Sequence, residues 1–423
     1  MKWPAAVDKG ADKSDAKCDD PAEPDPSVGF AVTLARALHQ YGTPTDRLER
    51  VMTAVVDKIG VKGHFFAIPT GIFASFGSPE EQRTSLIRVE PSTANLEKMA
   101  LLDDLTTRVL RDEMSPADGT RQIQAIIDAP PCFGTLLTVV AYGIASGTGS
   151  RFFGGGWREA IIATVIGLCV GLMGLLMERS EDVQQLFEPT AALAVSVLAI
   201  LAARIIAPVS ITNLTISGLF ILFPGLTLTI GIRELATRNL VSGTAQLTAA
   251  GLVFFELGFG VALGSQFARL LPAASHSFDP VALPGWTLVA ALLMAPAAIA
   301  VLLRARPSDI GWITLAGIVS FGGARVGALL VGPELGVFLG ALLVGCGSNV
   351  FSRLLNRPSA IPLAPGLLLL VPGSVGFTSV SKFLSKDVLS GVETGFKMVL
   401  IAIALVTGLL VANVLVRPRD TGH

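Results

Sequence analysis

The chain has 423 residues, of which 51% are hydrophobic and 15% are charged, and its mean hydropathy is positive. Because a soluble domain carries about 25% charged residues, this composition indicates a membrane protein surrounded by the lipid bilayer. The net charge of −1 excludes an overall basic surface for nucleic acid, and the 4 cysteines and 4 histidines are too dispersed to predict a disulfide framework, a metal site or any other cofactor site.

The predicted elements begin after an N-terminal tail, residues 1–27, which is rich in Asp, Lys, Ala and Pro. The tail has too few apolar side chains to fold and lacks the apolar core of a signal peptide, so we expect it to be disordered and cytoplasmic. Basic residues are more numerous in the predicted loops on this side of the membrane than in the opposite loops. Both observations favour N- and C-termini in the cytoplasm.

Residues 28–131 have the pattern of a small soluble α+β domain on the cytoplasmic side. Two amphipathic helices come first, and the runs HFFAI, IFASFG and TSLIRVE, separated by turn-forming residues, predict three strands. A third helix follows, and its inward-facing apolar positions are Leu96, Met99, Leu102 and Leu105. Ser115-Pro116 opens a fourth helix. The domain has no glycine-rich phosphate loop and no Ser/His/Asp constellation, so no catalytic residue is predicted.

Beyond residue 131 the chain consists mainly of long apolar segments. A bilayer core about 30 Å thick requires about 20 mostly apolar residues in a helix that crosses it. Ten segments qualify: 133–150, 157–177, 189–208, 211–232, 240–264, 286–303, 310–330, 333–352, 361–381 and 390–416. The sequence therefore predicts a polytopic α-helical membrane protein with about ten transmembrane helices.

The fourth and the ninth of these segments are interrupted by the same dipeptide. Pro224-Gly225 is followed at an offset of 148 positions by Pro372-Gly373, and the same offset aligns Gly260 with Gly408. Because each half contains five segments, and five is odd, a second copy enters the membrane from the opposite face. We therefore predict two inverted five-helix repeats, although chance alignment of glycine-rich apolar helices is the alternative. The two units are residues 132–272 and 273–423.

The two Pro-Gly pairs are also the candidate substrate-binding site. Proline has no backbone N–H, so Pro224 and Pro372 interrupt the hydrogen-bond ladder of their helices, and freed backbone groups at membrane depth are tolerated only where protein or water satisfies them. Gly225 and Gly373 allow a ligand to approach the main chain, and Ser374 follows directly. Backbone N–H groups at a helix start bind a carboxylate, and free carbonyl groups accept from an ammonium group. A proline kink used only for packing is the alternative.

Two isolated charges in apolar segments are further candidates. Glu256 lies deep in the fifth segment, where a carboxylate faces the protein interior or water and is able to carry a proton, so we assign it to proton coupling. Structural pairing with a buried polar group is the alternative. Arg325 has a planar guanidinium group that suits a substrate carboxylate. Because Arg325 stands close to the end of its helix, snorkelling to the membrane surface is the alternative.

Two charged pairs are candidates for gating. Arg233 and Glu234 follow the first Pro-Gly segment on a predicted cytoplasmic loop, where they form either a gate or a solvated cluster. Glu393 and Lys397 are four residues apart near the start of the last segment. That spacing favours a simple helical ion pair unless the two residues face the interface between the repeats.

Several stretches resemble the threonine/serine exporter family of bacteria: FFAIPTGIFASFG, NLEKMALLDDL, FFGGGWREAIIAT, FPGLTLTIGIRELATRNLVSGTAQL and PLAPGLLLLVPGSVGF. The resemblance covers nearly the whole chain after the tail and is most specific in PGLTLTIGIRELAT and LVPGS. It implies a transporter in the bacterial inner membrane that exports small neutral hydroxy amino acids, driven by the proton motive force. Some two-subunit relatives are associated with dicarboxylate export, so a succinate-like substrate is the alternative.

Other classes of function remain open on the sequence. A passive channel is one alternative, and a membrane-embedded enzyme is another. Such an enzyme needs a nucleophile and a base at membrane depth, where Ser and Thr are frequent but His is not. The sequence therefore predicts a transporter that is not an enzyme. Its expected partners are an amino-acid substrate, protons and lipid, and a homo-oligomer is compatible with the sequence.

Overall fold

The architecture is that of a computed structural model, which describes residues 26–78, 80, 82–89, 94–178, 180–206, 208–269, 280–370 and 372–419. The predicted tail comprised residues 1–27. Of these, residues 1–25 lie outside the described residues. The last two are not tail, because α1 begins at Pro26. The fixed φ angle of proline suits the first turn of a helix, so the helix begins two residues before the predicted boundary.

The N-terminal region is a small α+β unit, as predicted. Its described elements are α1 (Pro26–Gln40), α2 (Thr45–Lys58), β1 (Gly63–Ile68), β2 (Gly71–Phe76), β3 (Arg83–Arg88), α3 (Leu96–Leu110) and α4 (Pro116–Asp128). The strands form an antiparallel sheet in the order β1-β2-β3. Phe30 of α1, Met52 of α2 and Ile72 of β2 are fully buried together in its core.

Local capping interactions explain where two of these helices begin. The side chain of Asn95 accepts a hydrogen bond from the Lys98 N–H at 3.0 Å at the start of α3. Ser115 caps α4 in the same way by accepting from the Asp118 N–H at 3.2 Å, with Pro116 in the first turn. Each cap satisfies one of the N–H groups that a helix start leaves free, so both boundaries follow from local sequence.

The rest of the chain is almost entirely helical. Its elements are α5 (Thr135–Phe152), α6 (Trp157–Met177), α7 (Glu181–Gln184), α8 (Phe187–Ile205), α9 (Ile211–Gly218), α10 (Gly225–Ala236), α11 (Leu240–Arg269), α12 (Trp286–Leu302), α13 (Ile310–Val331), α14 (Pro333–Leu355), α15 (Ala360–Leu368), α16 (Gly373–Leu384) and α17 (Val388–Leu415). Within the described ranges, seven helical segments are long and apolar enough to cross a bilayer, and the bent pair α9 and α10 makes eight.

All ten predicted segments are helical, but two of them do not qualify as candidate spans. Helix α12 is apolar but has only 17 residues, which makes it shorter than the others. Helix α5 has 18 residues and ends in the polar run ASGTGSRF, which lowers its hydropathy. The protein is therefore a helical membrane protein with seven or eight candidate spans, rather than the ten predicted from apolar length.

Small residues allow the membrane helices to pack closely. At the crossing of α13 and α14, a Cβ atom on Gly336 would lie 2.2 Å from the backbone nitrogen of Ala328. At the crossing of α5 and α6, a Cβ atom on Gly167 would lie 2.6 Å from the carbonyl oxygen of Tyr142. Since atoms in contact lie about 3.5–4.0 Å apart, these crossings require glycine, as is usual where membrane helices associate by close backbone packing.

The N-terminal region docks directly on the membrane helices through the start of α3. The backbone N–H groups of Leu96 and Glu97 donate to carbonyl groups of the loop after α12, each at 3.0 Å. Leu96 and Met99 pack against Ile313 and Phe351 of the membrane helices. All four apolar positions of this helix were predicted to face the N-terminal core. That prediction is correct for Leu102 and Leu105 only. The apolar face of α3 contacts two cores, and Leu96 and Met99 belong to the one shared with the membrane helices.

Candidate functional site

Both Pro-Gly pairs begin a new helix rather than bend a continuous one. After α9 a short 3-10 turn, Phe220–Leu222, leads to Pro224, which precedes α10, and the helix pair is bent by 49°. In the second half α15 ends at Leu368, and Pro372 precedes α16. The backbone angles of the two prolines are nearly the same, with φ −78° and ψ 39° at Pro224 and φ −77° and ψ 29° at Pro372.

The two helix breaks lie against each other in the interior. The rings of Phe223 and Phe377 are in contact, with centroids 5.4 Å apart and planes tilted by 31°. A Cβ atom on Gly373 would lie only 2.6 Å from the Cβ atom of Phe223. Pro224, Gly225, Pro372 and Gly373 are all buried, and Ser374 is half-buried. The structure therefore brings together all five backbone-site candidates predicted from the sequence.

The breaks direct two helix starts towards the same part of the interior. The first helical hydrogen bonds run from the Leu228 N–H to the Pro224 carbonyl and from the Gly376 N–H to the Pro372 carbonyl, both at 2.9 Å. The Gly225 N–H donates to the Phe223 carbonyl at 2.8 Å. The N–H groups of the residues that follow, such as Thr227 and Ser374, have no acceptor within their own helix. Together with the positive end of each helix dipole, such groups bind anions.

Glu256 is half-buried on α11, the helix that packs against the second break. Its neighbours Phe255 and Phe259 are exposed. Phe254, on the other side of α11, contacts α16, since a Cβ atom on Gly376 would lie 2.6 Å from the Phe254 ring. No hydrogen bond or ion pair joins Glu256 to any of the described residues. Its carboxyl group therefore stands at the edge of the bundle, one helix away from the breaks.

Arg325 is not part of this arrangement. It is exposed on α13, six residues before the end of the helix, and it is followed by the exposed apolar side chains of Val326, Leu329 and Leu330. This position matches the snorkelling alternative rather than contact with a buried substrate.

The predicted gate residues Arg233 and Glu234 connect the membrane helices to the N-terminal region. Glu234 is 4% exposed, and its Oε1 atom accepts a short hydrogen bond from the hydroxyl group of Thr45, while its Oε2 atom has no partner among the described residues. The Thr45 hydroxyl also lies 3.3 Å from the Ser242 hydroxyl. Next to this group, the guanidinium group of Arg233 binds the Asp46 carboxylate at 3.2 Å. The pair is therefore a docking point and not a solvated cluster.

Glu393 and Lys397 form the simple ion pair that their spacing suggested. The Lys397 Nζ atom lies 2.8 Å from Glu393 Oε1, and the two side chains are 47% and 67% exposed. They face outward from α17, so they do not take part in the contact between the breaks.

Two buried carboxylates that were not predicted from the sequence hold the chain before each broken helix. Glu159, at the start of α6, accepts from the Gly156 N–H and the Ser210 N–H, both at 3.0 Å, just before α9. Asp309, at the start of α13, pairs with Arg357 just before α15. Both acids occupy corresponding places in the two halves, but their partners lie about 50 positions away in sequence, so helical periodicity gave no signal for them.

The comparison with known families identifies the chain. The family described as threonine/serine exporter, ThrE, matches residues 29–268, and a second threonine/serine exporter family, ThrE_2, matches residues 288–415. The chain belongs to the threonine/serine exporter family. The family resemblance predicted from the sequence is therefore confirmed, and membership of a transporter family supports the expectation that this exporter-family chain is not an enzyme.

Curated relatives of this exporter-family chain are fungal membrane proteins. It is 26% identical to pheromone-regulated membrane protein 10 of Eremothecium gossypii over 431 residues, which is 92% of this chain and 56% of the relative. It is 27% identical to an uncharacterized protein of Schizosaccharomyces pombe, over 92% of this chain and 55% of the relative. The chain thus spans about half the length of the curated relatives it matches. No solved structure matches it.

The relatives do not establish which membrane contains the protein. The chain is a multi-pass membrane protein, and membrane transport of an amino acid is implied by its family. Because the relatives are fungal, they give no support to the bacterial inner membrane that the sequence resemblance implied.

Proposed function

We propose that the protein is a secondary exporter of threonine and serine whose substrate site is the contact between the two Pro-Gly breaks. The observation that carries this proposal is that two helix starts meet in the interior, with Phe223 packed on Phe377 and on Gly373. The free N–H groups of the first turns bind the substrate carboxylate, and carbonyl groups freed by the breaks accept from its ammonium group. The aromatic pair suits a small neutral side chain.

We also propose that the membrane region consists of two inverted repeats, residues 132–272 and 273–423, after a cytoplasmic region, residues 28–131. Matched geometry at the predicted offset supports this. Arg238 and Lys386 both have φ of 68° in the turn after the broken helix. In the helices that follow these turns, a Cβ atom on Gly243 would contact Leu235, and one on Gly391 would contact Phe383, at the equivalent position.

Helix packing supports the repeat as well. A Cβ atom on Gly260 would lie 2.3 Å from the Pro189 carbonyl oxygen and 2.7 Å from the Ala192 Cβ. A Cβ atom on Gly408 would lie 2.6 Å from the Phe338 carbonyl oxygen and 2.9 Å from the Ala341 Cβ. The crossing of α8 with α11 is thus reproduced by that of α14 with α17, through the glycines that the sequence aligned.

The directions of the broken helices agree with an inverted arrangement. The end of α10, at Arg233 and Thr237, and the start of α15, at Ser359 and Ala360, line the same cavity next to the N-terminal region. The first broken helix therefore runs towards the N-terminal region, and the second runs away from it. Inverted transporter repeats place their discontinuous helices in this way around a site near the middle of the membrane.

The site is tested by Gly373→Ala in proteoliposomes. The added methyl group would lie 2.6 Å from the Phe223 Cβ, so the breaks must separate by about 1 Å to restore normal contact. Since overpacking costs about 1–3 kcal/mol, we expect threonine and serine transport to fall about tenfold or more. Gly251→Ala is the control, because a Cβ atom there meets nothing within 4 Å. Equal transport by both variants would contradict the proposed site.

The same assay distinguishes a dicarboxylate substrate. Two helix starts meeting at one point also suit a molecule with two carboxylates, so labelled succinate is compared with labelled threonine. We expect saturable transport of threonine and serine and none of succinate. Saturable succinate transport that is sensitive to Gly373→Ala would retain the site and replace the substrate, whereas transport that does not saturate would indicate a passive channel.

A further inference from the structure

A cavity of about 280 Å³ lies between the N-terminal region and the membrane helices. The first turns of α2 form one side of it. The C-terminal parts of α10, α14 and α17, together with the start of α15, form the other side. None of the residues that line the cavity belongs to the two helix breaks, so it is a separate place in the molecule.

Arginine side chains dominate the charge of this cavity. Arg47 and Arg419 share the buried carboxylate of Asp103, with nitrogen-to-oxygen distances of 2.5 Å and 3.9 Å. The Arg419 side chain is only 15% exposed, and its guanidinium group also donates to the Thr107 hydroxyl at 3.4 Å. Asp103 is therefore held mainly by Arg47, and the charge of Arg419 is only partly compensated.

The second pair of arginines also shares one carboxylate. Arg50 and Arg233 both lie 3.2 Å from the same oxygen atom of Asp46. Two further acids near Asp46 accept from neutral donors, Glu49 from the Ala67 N–H and Glu234 from the Thr45 hydroxyl. Of the described residues that line the cavity itself, four are arginines and only Asp46 is an acid. A partly enclosed cavity lined in this way presents guanidinium groups to a ligand and attracts carboxylates.

The opposite wall supplies neutral polar groups. The Asn349 amide donates to the Asn413 side-chain oxygen at 2.9 Å and to the Val416 carbonyl at 2.8 Å, which fixes both asparagines. The remaining amide atoms, with the hydroxyl groups of Ser352 and Ser359, line the cavity as donors and acceptors. They suit the hydroxyl or ammonium group of a small molecule.

We propose that this cavity binds a small carboxylate, whose charged end is held by Arg419, Arg50 and Arg233 and whose polar remainder faces the asparagine wall. A volume of about 280 Å³ lies at the lower limit for ligand pockets, which usually measure about 300–1,000 Å³, so the cavity suits an amino acid or a small diacid rather than a nucleotide. The carboxylate site stands on its own geometry. Only the identification of its ligand with the exported amino acid rests on the proposed function.

The test measures binding of labelled threonine and labelled succinate to the purified full-length protein in detergent, in the Gly373→Ala background, which impairs the site at the helix breaks. We expect threonine to bind, and we expect threoninamide, which lacks the carboxylate, not to compete. Loss of one charge-assisted hydrogen bond weakens binding about tenfold or more. Arg419→Gln and the more exposed Arg50→Gln should each have this effect. Arg121→Gln is the control, because Arg121 is 80% exposed and lies outside the cavity.

The outcomes separate the two proposals. Binding that is unchanged in both arginine variants, or no binding of either carboxylate, overturns the cavity site whatever the transport assay shows. Succinate binding that depends on Arg419, without threonine binding, supports the cavity site and contradicts the identification of its ligand with the exported amino acid. Threonine binding that depends on Arg419, combined with normal transport by Gly373→Ala, supports the cavity and contradicts the site at the breaks.

Discussion

At the scale of single residues, burial separates charges that look alike in the sequence. Glu234 is 4% exposed and holds the N-terminal region through Thr45, whereas Glu393 is 67% exposed and pairs with Lys397 on its own helix. Glu256 lies between these cases, half-buried and without a partner among the described residues. We propose that Glu256 exchanges a proton during transport, because a carboxylate in an apolar segment that is neither paired nor fully solvated is able to carry one.

Glu256→Gln tests this assignment. The amide keeps the size and polarity of the side chain but cannot titrate, so we expect threonine export driven by a pH gradient to be lost. Exchange of labelled for unlabelled threonine across proteoliposomes should persist, because the contact between the breaks is unchanged. Glu393→Gln, which changes an exposed carboxylate of α17, is the control. Export by Glu256→Gln that still follows the pH gradient would contradict a role in proton coupling.

At the scale of elements, a few local signals determine where helices begin and end. Asn95 and Ser115 cap α3 and α4, and the two Pro-Gly pairs start α10 and α16 with nearly the same proline angles. Contacts between elements then fix the helices and strands relative to one another. The Glu49 side chain of α2 accepts a hydrogen bond from the Ala67 N–H of β1 at 2.9 Å and so fixes the helix to the sheet.

The contact between α2 and β1 predicts a pH dependence. Burial raises the pKa of Glu49 above its usual value, although the hydrogen bond from Ala67 opposes this. The folded state therefore binds this proton more tightly than the unfolded state, and the resulting stability is present below the usual pKa and is lost as pH rises through the raised pKa. Glu49→Gln keeps an acceptor for the Ala67 N–H but does not titrate.

We therefore expect the difference in melting temperature between Glu49→Gln and the parent protein to become more positive from pH 4 to pH 7. Thermal unfolding of the full-length protein in detergent measures it. Asp57→Asn, which changes an exposed residue of the same helix, should show a smaller trend. A difference that is constant or falls with pH would contradict the stated cause of the pKa shift.

At the scale of the whole molecule, the N-terminal region is attached to the membrane region at several places. The start of α3 donates two backbone hydrogen bonds to the loop after α12, and α2 contacts the end of α10 through Thr45 and Asp46. Arg419, which follows α17, contacts α3 as well. Helix α10 begins at the first break, so its two ends join the candidate substrate site to the N-terminal region. Helix α10 is therefore one direct connection between this region and the candidate substrate site.

Thr45→Val tests the second attachment. It leaves both oxygens of the buried Glu234 carboxyl group without a partner, which costs about 1–3 kcal/mol. We expect faster hydrogen exchange at the start of α2 and the end of α10, and a lower melting temperature. Thr53→Val is the matched control, since the exposed Thr53 hydroxyl bonds only the Glu49 carbonyl of its own helix. Equal exchange in the two variants would show that the Thr45 contact does not hold the regions together.

The sequence by itself determined the features that depend on neighbours within one or two helical turns. The apolar runs became helices, three β-prone runs became the sheet, and each Pro-Gly pair started a new helix because proline removes a backbone donor. Gly260 and Gly408, which the predicted repeat aligns, each lie at a close helix crossing. Apolar length alone also predicted α5 and α12 as transmembrane helices, but neither is both long and apolar enough to be a candidate span.

Only the tertiary structure decided what each charged or polar side chain does. Thr45 and Glu234 are separated by 189 positions, and Arg419 reaches Thr107 across 312 positions. A periodic pattern reports which face of a helix is apolar, but not which distant segment covers that face. For this reason the contact between the breaks was anticipated from two local signals, whereas the arginine cavity, formed by four helix ends and the N-terminal region, had no signal in any single stretch of the chain.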